Sequence, residues 1–351
     1  METFEKYLAI WVAVCMLVGI GVSQMIPGIG ETIDSWQAYG ISIPIGICLF
    51  LMMYPALLNF QVSELKKLRQ NPKPILLSLF SNWIVAPFVT ASLARLFLGG
   101  NEQLMVAVIL LGSSPCTAMV LVWGKLAQGN QEQNVVNTSL NTITIMVLYA
   151  PIVSLLTGLQ GIPIDRRMLA ISVIVFIGLP LVLGIITKRL LTQAKGKTWF
   201  DEVYRPVVGK VAIGALLMTL VVLFSLNGQV LLNHFDLLLL VSVPLLLGFA
   251  IVVGYNLFVT KLTGLAYREA ITTVIIGSSS HFEIAIATAV AMYGVGSYAA
   301  LGTTMGLFWE VPVMLGLVYV GRALGHRGFW KSAPAGIEEP VAGVTQKVSA
   351  E

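Results

Sequence analysis

Ten stretches of this chain are apolar almost without interruption: roughly 8–26, 41–60, 74–98, 104–124, 134–157, 168–187, 209–227, 236–259, 269–293 and 297–320. A helix rises about 1.5 Å per residue and the hydrocarbon core of a bilayer is about 30 Å thick, so runs of about 20 apolar residues predict membrane-crossing helices. The expected fold is an all-α membrane protein with ten transmembrane helices. The first run follows Lys6, as a signal peptide would follow its basic start. It is too long for a signal core and no small-x-small cleavage pattern follows it, so it is read as a span.

Two of the ten runs are broken. The fourth is interrupted by Gly112-Ser113-Ser114-Pro115-Cys116-Thr117 and the ninth by Gly277-Ser278-Ser279-Ser280-His281-Phe282-Glu283. Small and hydroxyl residues beside Gly or Pro loosen a helical ladder, and such backbone survives at membrane depth only where it lines a cavity. The breaks hold matching places, fourth of the first five spans and fourth of the second five. Five is odd, so the two halves must insert upside down relative to each other. The expected organisation is two inverted five-helix repeats, 1–160 and 161–325. A disordered cytoplasmic tail is expected over 326–351, rich in Ala, Gly, Pro and Glu. Paired interruptions in an inverted repeat point to the central site of a secondary transporter; two unrelated kinks in a helical bundle are the plain alternative.

Composition excludes a water-facing globule: 57% of residues are hydrophobic and only 11% charged, where soluble domains carry about a quarter. Cys15, Cys48 and Cys116 all lie inside apolar runs, which argues against a disulfide framework. A net charge of +4 is no sign of nucleic-acid binding here, because what matters is which loops carry the positives. Eighteen Lys and Arg fall on one side of the ten-span topology, among them Lys6, Lys66, Lys67, Arg69, Lys188, Lys197 and Lys347. The other side keeps only Arg95, Arg166 and Arg167. This asymmetry puts both termini in the cytoplasm. Trp11, Trp36, Trp123, Trp199 and Trp330 fall at or near span ends, where an amphipathic ring belongs.

Glu283 and Glu310 are the only acids well inside a span, and a carboxyl in hydrocarbon usually marks a site. Glu310 precedes Pro312 by two positions, and a proline there leaves the carbonyl of Leu307 or Phe308 without its helical partner. A structural acid that satisfies this carbonyl and a proton carrier are both open to Glu310. Glu283 and Cys116 fall near the starts of half-helices, where negative charge is favoured. A buried cysteine is most often a small core hydrophobe, the reading given to Cys15 and Cys48. His281 either relays protons or hydrogen-bonds within the break. Ser113, Ser114, Ser279, Ser280, Asn137 and Asn141 offer hydroxyls and amides for a polar cargo or for helix-to-helix bonds.

Pro115-Cys116-Thr117-Ala118-Met119-Val120, followed by Val122-Trp123, resembles the fourth-span signature of the arsenical-resistance-3 family of arsenite efflux permeases. The likeness continues through Tyr149-Ala150-Pro151-Ile152-Val153, Phe282-Glu283-Ile284-Ala285-Ile286-Ala287 and Glu310-Val311-Pro312-Val313-Met314-Leu315. These permeases belong to the bile acid/arsenite/riboflavin transporter superfamily. The resemblance implies a panel bundle against a core bundle, with discontinuous helices 4 and 9 crossed. It also implies export of arsenite against protons, with the span-four cysteine and span-ten glutamate essential, positions that Cys116 and Glu310 hold here. Two departures touch the expected cavity: Ser279-Ser280-His281 stands where the family shows Ser-Asn before Phe-Glu, and Asn141-Thr142 stands for an Asn-Asp pair.

The expected function is therefore antiport of trivalent metalloid, arsenite or antimonite, against protons across the cell membrane, with no cofactor and no enzymatic step. Cys116 would capture the metalloid through a soft sulfur bond. Ser113, Ser114, Ser279, Ser280 and Asn141 would hold the cargo's hydroxyls, and Glu310, Glu283 and His281 would carry protons. A sodium-coupled organic-anion carrier on the same fold is the main rival. An intramembrane enzyme is remote, since the chain has no HExxH, GxSxG or P-loop motif and no intramembrane aspartate pair.

Overall fold

The computed structural model describes residues 8–26, 35–38, 41–58, 71–233, 235–294 and 296–331. A helix, or a pair of half-helices, occupies each of the ten apolar stretches. In chain order these are α1 Leu8–Met25, α2 Ile43–Leu58, α3 Pro72–Leu98, α4 Glu102–Gly112, α5 Met119–Leu126, α6 Gln131–Leu159 and α7 Arg166–Lys195. They continue with α8 Arg205–Asn233, α9 Phe235–Leu262, α10 Tyr267–Ser278, α11 Phe282–Tyr293 and α12 Tyr298–His326. Six of them (α3, α6, α7, α8, α9 and α12) are long and apolar enough to cross a membrane, and α1, α2, α4 and α11 hold shorter apolar segments. The chain is a multi-pass, all-helical membrane protein; its one small sheet among the described residues pairs β1 Gln37–Ala38 antiparallel with β2 Ile41–Ser42.

Helix starts follow local chemistry. The side chains of Asn101, Asn130, Asp165 and Ser297 each accept a backbone N–H in the first turn of α4, α6, α7 and α12, settling donors that a helix start leaves free. Three helices widen into single π-turns, at Ser81–Val85 in α3, Ile174–Gly178 in α7 and Phe200–Tyr204 just before α8. Each is followed closely by a proline, Pro87, Pro180 or Pro206. The residue four back from each proline lies inside the π-turn. A proline ring cannot hydrogen-bond that carbonyl and crowds it, and the extra residue of a π-turn makes room.

The helices pack as two groups. In one, α8 lies against α1 and α2, and α7 against α2. In the other, α3 packs on α4, α9 on α3 and α10, α12 on α4, and α11 on α12. Between the groups the first half of α7 meets α11.

Two expectations from the tryptophans and the tail are revised. Trp11 and Trp36 are exposed as interfacial anchors would be, but Trp123 and Trp330 are buried. Trp330 donates its indole N–H to Thr260 and meets the Tyr267 ring edge-on, so residues 327–331 fold back on the bundle. The remainder of the expected tail, 332–351, lies outside the described residues, as do Lys6, Lys66, Lys67, Arg69 and Lys347.

Candidate functional site

Helix α4 stops at Gly112 and the chain does not become helical again until Met119. Pro115, in the gap, has no N–H to continue a ladder. Helix α10 stops at Ser278; Ser279 is extended, with φ −100° and ψ 139°, and α11 begins at Phe282. The two gaps meet antiparallel at Pro115 and Ser280. The Cys116 N–H donates to the Ser279 carbonyl at 3.2 Å, and the His281 N–H donates to the Ser114 carbonyl at 2.6 Å. Each break thus supplies partners for backbone groups that the other frees, which is how irregular backbone is tolerated away from water.

Close packing holds both crossing strands from behind. A Cβ on Gly112 would run into Thr90 of α3, and one on Gly277 would sit 2.6 Å from Asn256 Oδ1 of α9. The Asn256 amide donates to the Gly277 carbonyl at 3.1 Å and to Ser81 Oγ at 2.8 Å. Ser81, presented by the π-turn of α3, donates in turn to Gly277 at 2.8 Å.

Side chains converge on the front. Glu310 of α12, 2% exposed, accepts hydrogen bonds from Ser279 Oγ at 2.6 Å, the Ser280 N–H at 3.0 Å and Ser280 Oγ at 2.5 Å. The Cys116 thiol, 1% exposed, lies within hydrogen-bond reach of the Ser279 side chain and the Ala118 backbone. Ser279 therefore stands between sulfur and carboxylate. Asn141 of α6 donates to the Cys116 carbonyl at 2.9 Å and accepts from Asn82 of α3 at 3.3 Å. His281 Nδ1 lies 2.9 Å from Glu283 Oε2, yet neither atom has an aligned hydrogen-bond partner.

The structure brings Cys116, Ser279, Ser280, Glu310 and Asn141 into one cluster, with the His281–Glu283 pair beside it. Ser114 takes part through its carbonyl, while its hydroxyl turns back to Leu111 at 2.9 Å. The Ser113 hydroxyl is buried without a partner. Glu283 does fall in the first turn of α11, but Cys116 sits in the non-helical gap, two residues ahead of Ala118, the cap of α5. The Glu310 oxygens are engaged by the opposite break, so the carbonyl freed by Pro312 is not their partner.

Sequence reasoning missed Asn82. Other buried polar atoms without partners include Thr117 Oγ1 and both side-chain polar atoms of Asn137, while the Tyr149 hydroxyl lies within hydrogen-bond reach of the Thr288 side chain. Asn134 donates to the Val120 carbonyl at 2.8 Å and Asn141 to that of Cys116. Asn137 lies between them on the same face of α6, toward residues 116–120. A cavity adjoins the crossing on the α3–α9 side, lined by Asn82, Thr90, Ser114, Phe249, Ser279 and Ser280 among others. Among the described residues no three of His, Cys, Asp and Glu cluster to hold a metal ion.

The profile of the Sodium Bile acid symporter family matches residues 46–234. The chain belongs to this family. A protein of the cyanobacterium Synechocystis, named as an uncharacterized transporter, is 38% identical over 94% of this chain and 90% of its own length. The Arsenical-resistance protein Acr3 of Alkaliphilus metalliredigens is 34% identical, covering 92% of this chain and 93% of its own. That of Corynebacterium glutamicum is 29% identical, covering 93% and 90%. The family membership thus falls where the proline-cysteine and Glu-Val-Pro-Val blocks point, among the arsenical-resistance relatives.

Proposed function

We propose that this family member exports trivalent metalloid, arsenite above all, from the cytoplasm in exchange for protons. The carrying observation is a thiol, Cys116, linked through one serine to a buried carboxylate, Glu310, where two interrupted helices cross. Arsenous acid is uncharged near neutral pH, so its pocket needs hydrogen-bond partners rather than a countercharge. Ser279 and Ser280 supply them, Ser113, Asn137 and Thr117 keep unpaired polar atoms nearby, and Ser114 and Asn141, engaged by Leu111, Cys116 and Asn82, reach the cargo only once those bonds are exchanged. The Cys116 thiol passes its proton to one hydroxyl of arsenous acid. That oxygen leaves as water, its As–O bond breaks and an S–As bond forms. One sulfur bond holds the cargo transiently, where three would trap it.

Glu310 is the proton carrier. A carboxylate only accepts hydrogen bonds, whereas its protonated form must also donate. Protonation from outside, on Oε2, therefore forces the bond from Ser280 Oγ to reverse, weakens the two bonds that Oε1 accepts and favours release. Both Cys116 and Glu310 are sealed from solvent, so access requires one helix group to move against the other. The architecture behind this reading is ten spans in two inverted five-helix repeats. Its support is the repeated relation of α3 to α4 and of α9 to α10, each pair held by a glycine packed on a polar residue. The orientation read from the positive charges places both termini in the cytoplasm of the plasma membrane. In everted vesicles, acidifying the interior should drive arsenite uptake, and Cys116→Ser and Glu310→Gln should each abolish it. Full uptake by both variants would overturn the mechanism; uptake that follows sodium and ignores Cys116 would select the organic-anion reading.

A further inference from the structure

The turn between α7 and α8 gathers charge that the transport reading leaves unused. From 188 to 210 the chain holds Lys188, Arg189, Lys195, Lys197, Arg205 and Lys210 against Asp201 and Glu202, six cations against two anions. Gly196, at φ 87°, turns the chain after Lys195, and the π-turn Phe200–Tyr204 packs back on α7 just ahead of Arg205. The hydroxyls of Tyr204 and Tyr54 meet at 2.9 Å and tie this elbow to α2. Lys188 lies within electrostatic reach of Arg205, Lys197 and Asp201. Asp201 pairs with Arg205 at 3.3 Å, and among the described residues neither lysine makes an ion pair. Arg205 Nε is buried without a partner, and Lys188 and Arg205 are both half-buried. Like charges drawn together out of full solvent are unfavourable until an anion joins them.

Apolar surface borders the same elbow. Ile185, Leu190, Val203 and Val207 are 45–59% exposed, and Lys195 lies over the Trp199 ring at 4.4 Å, an aromatic of the kind that sits at headgroup level. Oxygens that accept from a guanidinium and from ammonium groups, on a molecule whose tails lie along exposed helix faces, describe a phospholipid with an anionic head. We propose that the elbow between α7 and α8 is a binding site for an anionic phospholipid, its headgroup held by Lys188, Lys197 and Arg205. The leaflet is the cytoplasmic one by the orientation proposed above; the site itself does not depend on the antiport reading. A bound headgroup bridges α7 and α8, and steadies the helix group to which they belong while the other group moves against it.

The test is a lipid titration of the purified protein in detergent, read by native mass spectrometry and by the unfolding temperature, with phosphatidylglycerol, phosphatidylcholine and inorganic phosphate as the three probes. Phosphatidylglycerol should bind at least about tenfold more tightly than phosphatidylcholine and raise the unfolding temperature, and Lys188→Gln and Arg205→Gln should each weaken it about tenfold. Lys261→Gln, which removes an equal exposed charge from α9 of the other helix group, should leave lipid binding unchanged. Equal binding of the two lipids, or an equal loss in Lys261→Gln, would overturn the site as an unspecific effect of charge. Inorganic phosphate at millimolar concentration should neither displace the lipid nor raise the unfolding temperature. Stabilisation by inorganic phosphate that matches the lipid's and vanishes in Lys188→Gln would refute the lipid as occupant. Should Arg205→Gln not fold without its ion pair to Asp201, Lys188→Gln decides alone.

Discussion

Asn141 ties three parts of the site together with a single amide. Its NH2 holds the Cys116 carbonyl and its oxygen receives the NH2 of Asn82. Truncating it would strand a buried carbonyl and a buried amide at once, and each unsatisfied buried group costs about 1–3 kcal/mol. Asn141→Ala should therefore lower stability by roughly 2 kcal/mol and weaken arsenite transport, while Asn82→Ala, which strands one oxygen, should cost about 1 kcal/mol. Equilibrium denaturation of the two variants in detergent would show this ranking; equal losses would deny Asn141 its bridging role. At this scale the sequence was informative where chemistry stands out against hydrocarbon. A thiol beside a proline and two carboxylates inside apolar runs could be picked out directly. Asn82 could not, because its partner lies 59 positions away and only the π-turn of α3 presents it there. Nor could the Ser114 hydroxyl be foreseen to turn inward on its own helix.

The half-helices depend on glycines that let neighbours approach. Gly112→Ala and Gly277→Ala would force a methyl group against Thr90 and Asn256 respectively, and overpacking of this kind costs about 1–3 kcal/mol. Gly254→Ala, on the same helix as Asn256 but with open space around the added carbon, should be neutral or slightly stabilising, by up to about 1 kcal/mol. Thermal unfolding of the three variants tests this, and a Gly277→Ala protein as stable as Gly254→Ala would remove the packing argument. The positions of the helices were legible because an apolar run of fixed length leaves few alternatives. The π-turns were not, because they keep the same apolar composition as their surroundings. Proline alone does not announce them: Pro55, Pro151, Pro244 and Pro312 lie inside helices that stay α-helical around them.

For the molecule as a whole, the charge asymmetry gives a direct expectation. Arg167 and Lys197 are both exposed, near opposite ends of α7. On intact cells an impermeant thiol reagent should label Arg167→Cys and spare Lys197→Cys, and everted vesicles should reverse the pattern. Equal labelling from one side would invert or break the proposed topology. The tail shows where whole-chain reading falls short. Composition marked everything after 326 as unstructured, yet one tryptophan four residues on finds a buried seat against Thr260 and Tyr267. A single large ring can anchor a segment whose average composition says nothing of it.

The seam between the two breaks carries two main-chain stitches, Cys116 to Ser279 and Ser114 to His281. Replacing a side chain there leaves those stitches in place. Variants that repaint the chamber for a different passenger can therefore arise one residue at a time, without first having to rebuild the frame that carries it.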